Sequence, residues 1–322
     1  MLENEMLQLA KRHWPDIIFK TIQFNNDGWD NTVLIINNAI VFRFPKSKDL
    51  MRRIADEVVI LKQLARKKTI LQLPRYTPIY EEKRLIGVTY PFMKGQSLNR
   101  KTPPHFCERP ENAQAIADFL TKCHSITRSS LKEAHLTTMH TLAYWQQLCA
   151  SVRDEVFPLL AREQSAEMAR IIYKFFQNYS LYSRPKVLIH GDLSASNILY
   201  DDDVQQLSGI IDFTDAQYGD PAFDFAGLYW QFGPEFTKNV LSFYTFKTIK
   251  DPEEPSIRKT NAKLSSSFSN QSDVSKEDLF TRIQSFYGLQ PAFHELVYAV
   301  RNKQPIDPAI IQRFMTLSGF VK

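Results

Sequence analysis

The chain has 322 residues, 43% of them hydrophobic and 23% charged, with a formal net charge of +5. Those proportions are those of a soluble globular protein and exclude a low-complexity or fibrous chain. Three cysteines, Cys107, Cys123 and Cys149, without a short-spaced pair, exclude a disulfide framework or a cysteine zinc site and favour a reducing compartment.

The N-terminus has no basic region followed by an apolar one, and no run approaches the roughly 18 apolar residues of a membrane span, so a cytoplasmic protein is expected. Leu2, Met6, Leu9 and Ala10 recur at helical spacing, and Trp14-Pro15 stops that helix. Strands are expected at Ile17–Phe19, Thr32–Ile36 and Ile40–Phe44, the last two joined at Asn37-Asn38. Ile54, Val58, Leu61 and Leu64 set the period of a helix over 50–68, and strands follow at 76–80 and 85–90. Beyond Gly95 helical patterns dominate, at 111–126, 141–150, 166–182, 221–232, 236–247, 276–288, 291–301 and 308–317. Strands at 187–190, 197–200 and 208–213 interrupt them. Residues 250–275 hold two prolines and seven serines and read as a flexible insert. A β-rich first part and a mostly helical second part predict a two-lobed α+β molecule, divided into 1–94 and 95–322 with a hinge near Tyr90–Gly95.

His190-Gly191-Asp192-Leu193-Ser194-Ala195-Ser196-Asn197 lies between two apolar runs, and Ile210-Ile211-Asp212-Phe213 follows. One carboxylate can orient an attacking hydroxyl, while an amide oxygen and a second carboxylate suit Mg²⁺, a hard cation that takes oxygen ligands and nucleotide phosphates. His190 reads as a buried, hydrogen-bonded histidine, and Asp220 and Asp224 as capping and bracing residues. From His190 to Thr237 the chain carries nine acidic residues and no Lys or Arg. Such a stretch suits a cationic acceptor and argues against nucleic acid.

His-Gly-Asp-x-x-x-x-Asn followed by Ile-Asp-Phe resembles the aminoglycoside phosphotransferase branch of the protein-kinase-like fold, nearest in pattern to the 2″-phosphotransferases. The resemblance implies Asp192 as the catalytic residue and Asn197 and Asp212 as metal ligands. It also implies Mg²⁺ and GTP or ATP as phosphate donor. Nucleotide contacts fall to Gly28 in the loop between the first two expected strands, to Arg43 paired with Glu57, and to Tyr90, Pro91 and Met93. Arg43 stands where the family usually has lysine, and an always-charged guanidinium can still pair with carboxylate or phosphate. A bulky Tyr90 crowds a deeply placed adenine, which in that subgroup goes with GTP use. Substrate contacts fall to Asp215, Trp230 and Glu235. Ser194, Asn197 and Phe213 favour an aminoglycoside over a macrolide, and Thr214 leans the other way. The expectation is a monomeric small-molecule kinase acting on a cationic alcohol. The alternatives are a macrolide or small-metabolite kinase of the sugar or choline type, and a kinase-fold binding protein without turnover.

Overall fold

In the computed structural model, the described residues are 3–25, 30–99, 102–182, 186–245 and 275–320. In chain order they form α1 (Glu3–His13), β1 (Ile22–Asn25), β2 (Asn31–Ile36), β3 (Ile40–Pro45), α2 (Lys48–Ala65), β4 (Thr77–Glu81), β5 (Arg84–Pro91) and β6 (Gln96–Ser97). There follow α3 (Pro110–His124), α4 (Leu142–Ser151), α5 (Arg162–Gln177), β7 (Val187–Ile189), β8 (Ile198–Asp201), β9 (Gln206–Ile210) and β10 (Gln217–Gly219). The last elements are α6 (Ala226–Phe243), α7 (Lys276–Arg282), α8 (Gln290–Arg301) and α9 (Pro308–Leu317). The fold class is α+β, as expected from the order of periodicities. Gly28 and the insert expected at 250–275, apart from Ser275, lie outside the described residues.

The residues gather into two compact units that are not continuous in sequence. The first comprises 1–104, 131–136 and 195–216, and the second 105–130, 137–194 and 217–322. The expected division at 94/95 follows chain order, whereas the first unit runs on to Pro104 and takes up Ala195–Ala216.

The first unit is built on an antiparallel sheet of order β1-β2-β3-β5-β4. Alternation along β3 sends Phe42 and Phe44 into a core with Met6, Leu9 and Ala10 of α1 and with Leu34, Ile36 and Ile79. Arg43, between them in sequence, therefore points to the other face. The α2 helix starts at Ser47, whose hydroxyl accepts from Leu50 N–H at 3.3 Å, and buries Ile54, Glu57, Ile60, Leu61 and Leu64 on one side. A second sheet, β6-β8-β9, carries the chain from Asn197 round to Asp212. Its exposed tip at Asp202–Gln205 is the hairpin turn expected from the aspartate run.

The strand expected at Ile17–Phe19 is absent. There the Asn37 side chain supplies the hydrogen bonds, its Oδ1 accepting from the Lys20 and Thr21 amides and its Nδ2 donating to Ile18 C=O. An isoleucine that remains 75% exposed, Ile18, marks the segment as a strap and not a strand.

The second unit is mainly helical around an aromatic core. Phe175 and Phe286 stack at 3.6 Å, and Trp145 meets both edge-on. The two-stranded pair β7–β10 holds the segment that leads into His190. The helices expected at 221–232 and 236–247 prove to be a 3-10 turn at Pro221–Phe225 and the single run α6, broken at Gly233 with φ +82° ahead of Pro234. Among the described residues no helix is long and apolar enough to cross a membrane.

Candidate active site

In the first unit a buried guanidinium organises the polar residues. Arg43, 4% exposed, lies opposite Val33 of β2 and Val88 of β5. Its Nη1 donates to Glu57 Oε2 at 2.9 Å and to the Tyr76 hydroxyl at 2.5 Å. Its Nη2 donates to Asp212 Oδ1 at 2.9 Å and to Thr214 Oγ1 at 2.6 Å. Thr214 in turn faces Glu57 Oε1 at 3.0 Å and Asp212 Oδ1 at 2.7 Å. One arginine thus ties α2 to the turn after β9. Burial works against its charge, but Glu57, Tyr76 and Asp212 hold its pKa above the ordinary value. Burial pushes the Glu57 carboxyl up, with Arg43 opposing, and pushes Tyr76 up as well. The expected Arg43–Glu57 pair is therefore formed, and the same arginine also reaches Asp212.

Asp212 has φ +65°, a left-handed backbone that is uncommon for a non-glycine residue and recurs where side chains are aimed for function. The strand register brings Asn197 alongside: Ile198 pairs with Ile210, and Ile211 N–H donates to Asn197 C=O at 3.0 Å. An amide oxygen and a carboxylate on adjacent rungs are the hard-oxygen donors a divalent cation such as Mg²⁺ takes, so the residues fit that ion.

Tyr90, on β5, packs its ring 5.1 Å from Tyr76, and burial pushes its hydroxyl up to about 12. Pro91 ends β5 opposite Ile40 and is exposed, while Met93 is half-buried. Any Cβ on Gly209 would collide with the Met93 methyl and the Gln72 carbonyl, so glycine is what lets β9 pass beneath Met93. Asp215 pairs with Arg53 of α2 at 2.9 Å.

In the second unit the chain leaves β7 into a loop fixed by a single buried carboxylate. Asp224 accepts from the His190 amide at 2.8 Å and from the Gly191 amide at 2.9 Å. Gly191 has φ +85°, the region only glycine enters freely, and the turn it makes leaves Asp192 exposed while Leu193 is buried. The Asp192 amide donates to His190 Nδ1 at 3.3 Å, and His190, fully buried, meets Phe119 edge-on. Burial works to raise the Asp224 pKa, but the His124 hydrogen bond and the charges and amides around it hold it below the usual carboxylate value. Asp220 caps the following turn through Ala222 N–H at 3.0 Å and grips Arg282 with both oxygens, at 2.7 and 2.9 Å. Asp220 and Asp224 thus make the capping and bracing contacts that the sequence anticipated.

Trp230 is buried, its indole N–H donating to Glu295 at 3.1 Å with Arg313 5.6 Å over the ring. Glu235 lies past the Gly233 break, exposed and paired with Lys238 at 2.9 Å. Sequence reasoning missed Tyr76, His124, Arg282 and Glu295. Each meets its partner through the fold and not through a local motif.

Residues 21–255 match the profile described as the Phosphotransferase enzyme family. The viomycin phosphotransferase of Streptomyces vinaceus is 29% identical over 141 residues, 42% of this chain and 47% of that protein, so the match spans about half of that relative. An uncharacterised protein of Bacillus subtilis (strain 168), YcbJ, is 24% identical over 256 residues, 76% of this chain and 81% of its own length. The solved GDP complex of a wild-type aminoglycoside 2′-phosphotransferase is 21% identical, with a TM-score of 0.73 and coverage of 99% of this chain and 98% of that one. The kinase-like aminoglycoside phosphotransferase fold expected from the motif is therefore the fold observed, and with the profile matched over most of its length the chain belongs to the Phosphotransferase enzyme family.

Proposed function

We propose that the protein transfers the γ-phosphate of a purine nucleotide to a hydroxyl of a small antibiotic-like acceptor, of the aminoglycoside kind. The observation that carries the reading is the buried Arg43–Glu57–Asp212–Thr214 network. It supplies a fixed cation, anchored by a helix glutamate, beside the carboxylate expected to hold the metal. Five residues before Asn197, Asp192 stands exposed on a loop whose backbone is pinned on its N-terminal side. In this reading Asp192 orients the acceptor hydroxyl and takes its proton. Asn197 and Asp212 hold Mg²⁺, which when bound neutralises charge on the phosphates. The remaining work is positioning by rigid backbone.

Gly28, Tyr90, Pro91 and Met93 are assigned to the nucleotide, and Asp215, Trp230 and Glu235 to the acceptor. Tyr90, large and half-buried, supports the use of GTP at least as well as ATP, and the GDP carried by the similar solved structure agrees. The protein is assigned to the cytoplasm, where nucleotide is available, and acts as a monomer.

The test is a phosphate-transfer screen of aminoglycosides, viomycin, macrolides and small alcohols with GTP and ATP in the presence of Mg²⁺. Asp192→Ala should lower turnover by at least ~10², the low end of what acid–base groups supply. Full transfer by the folded variant, or no transfer to any acceptor by the parent, sinks the reading.

A further inference from the structure

The donors of Arg43 are all taken up by the protein, which sets this residue apart from a lysine at the same position. A guanidinium carries five N–H donors in one plane and no acceptor. Nη1 turns its hydrogens to Glu57 Oε2 and to the Tyr76 hydroxyl. Nη2 faces Asp212 Oδ1 and Thr214 Oγ1. The Asn31 side chain lies against the remaining edge. With its oxygen toward the guanidinium, the orientation in which no donor meets a donor, it accepts from Nη2 at 2.8 Å and from Nε at 3.0 Å. Every N–H of the group thus meets an oxygen of the first unit, to which all these residues belong.

These partners do not release the arginine cheaply. Glu57 is 0% exposed, and Asn31 and Thr214 are each 7% exposed. A phosphate that drew the guanidinium away would leave buried oxygens without a donor and, in Glu57, a buried charge without its cation. A lysine carries three rotatable donors on a flexible stem. It can hold the helix glutamate and still turn one N–H to a phosphate, whereas the planar fork here has none to turn.

What the arginine does act on is Asp212. Oδ1 of that carboxylate takes Arg43 Nη2 at 2.9 Å and the Thr214 amide at 3.3 Å. Thr214 Oγ1 lies 2.7 Å from Asp212 Oδ1 and 3.0 Å from Glu57 Oε1, so its hydrogen has a carboxylate on either side while its lone pair accepts from Nη2. One oxygen of Asp212 is therefore held from β3 and α2, although the side chain remains 43% exposed. A residue without a hydroxyl at 214 would break that link and leave the left-handed turn at Asp212 with the arginine alone.

We propose that Arg43 is a positioning residue which, with Asn31 and Thr214, fixes the Asp212 carboxylate for the metal and makes no contact with the nucleotide phosphates. This rests on the function proposed above, and its test separates the two.

The experiment compares the full chain with Arg43→Lys, Thr214→Val and Thr214→Ser. Calorimetry gives the affinity for GTP and for ATP in EDTA and again in Mg²⁺, and amide hydrogen exchange across 209–214 is followed without nucleotide. In EDTA, Arg43→Lys should bind nucleotide at least as well as the parent, since the ammonium regains a free N–H, and Thr214→Val should stay within about three-fold. The gain in affinity that Mg²⁺ gives the parent should shrink on the order of 10-fold in both, as for other partners of metal ligands, with faster exchange at the Thr214 amide. Serine keeps the hydroxyl and should recover most of the loss. Thr214→Val leaves Arg43 and Glu57 in place, and decides the question if the lysine variant does not fold. A loss of more than about three-fold for Arg43→Lys in EDTA gives the arginine a phosphate and overturns the proposal. So does a Mg²⁺ gain in Thr214→Val equal to the parent's, or a serine variant no better than valine. A parent that binds nucleotide and phosphorylates no acceptor overturns the proposed function, while the two affinities still decide the role of Arg43. A parent that binds neither nucleotide overturns both.

Discussion

Asp220→Asn is the substitution that most directly probes how the Asp192 loop is supported. Asp220 and Arg282 face each other with side chains that are each 2% exposed, and two charge-assisted bonds of 2.7 and 2.9 Å join them. The same carboxylate caps the turn Pro221–Phe225, on which Asp224 is carried. Asparagine preserves an oxygen for the cap and is a good N-cap residue, so the cap contribution, about 1 kcal/mol, is kept. What is lost is the negative charge and the acceptor of the Arg282 Nε bond, and the buried guanidinium keeps only neutral acceptors, the capping oxygen and the Asp278 carbonyl at 3.2 Å. Removing one member of a buried pair costs about 3–5 kcal/mol, mostly as the penalty of the stranded charge. Asp220→Asn should therefore lose about 3–4 kcal/mol, and Asp220→Ala about 1 more because it also removes the cap. Arg282→Met strands the opposite charge, and the double variant Asp220→Asn/Arg282→Met strands none. Its loss should fall short of the sum of the single losses by at least about 1–2 kcal/mol. Urea unfolding followed by tryptophan fluorescence reads these values, since Trp145 and Trp230 both lie in the second unit. A loss under about 1 kcal/mol for Asp220→Asn, or strict additivity in the double variant, would refute the reasoning.

Arg43→Met should destabilise the first unit by about 3–5 kcal/mol, because Glu57 is fully buried and keeps only hydroxyl partners, whereas Arg43→Lys should lose about 1–3 kcal/mol, one ammonium being unable to span Glu57 and Asp212 as the two guanidinium nitrogens do. Equal urea midpoints for lysine and methionine would contradict that account. Acid should weaken the fold through His140, whose pKa falls from 6.5 to about 4, first through burial and then through His294, with Asp224 opposing. Its ring lies 4.0 Å from Phe223 and its Nδ1 is buried without a partner. The folded state holds fewer protons than the unfolded one between these values, so the stabilisation is complete above 6.5 and is lost as pH falls toward 4. By pH 4.5 the loss is on the order of 2 kcal/mol. His140→Phe should remove that part of the pH dependence, and parallel stability curves for parent and variant would count against it.

The parts of this molecule that were readable in sequence are those with local causes. The heptad-like spacing Ile54, Leu61, Leu64 announced α2, and apolar runs on either side of His190 and before Asp212 announced the strands that present them. The strap at Ile17–Phe19 was read as a strand because its residues prefer strands, and only the fold shows Asn37 taking up its backbone bonds. Strands β6 and β10, of two and three residues, are too short to carry a period. The helix α6 was read as two because Gly233 and Pro234 are helix breakers, and the chain resumes its course directly after them. The site divides in the same way. Asp192, Asn197 and Asp212 lie within one motif, but Thr214 meets Arg43 across 171 positions, Tyr244 meets His124 across 120, and Arg282 meets Asp220 across 62. No local pattern encodes such pairs.

Electrostatics is where sequence and structure part most. The run from His190 to Thr237 has nine acids and no Lys or Arg, and as a sequence it promises a negative field. In the fold, six of those carboxylates face a basic side chain outside the run: Asp203 faces Lys94, Asp212 faces Arg43, Asp215 faces Arg53, Asp220 faces Arg282, Asp224 faces His124 and Glu235 faces Lys238. These pairs are not equivalent toward a cationic acceptor. The buried partner of Asp220 cannot be exchanged without stranding a charge, and Asp224 is buried out of an acceptor's reach. Lys94, Arg53 and Lys238 pair near the surface, where an ion pair is worth about 0–1 kcal/mol, so an ammonium group of an acceptor could replace any of them at little cost. Asp203, Asp215 and Glu235 are thus the carboxylates of this stretch whose pairs could yield to a polycation, and the acidic count matters through those exposed pairs far more than through its sum.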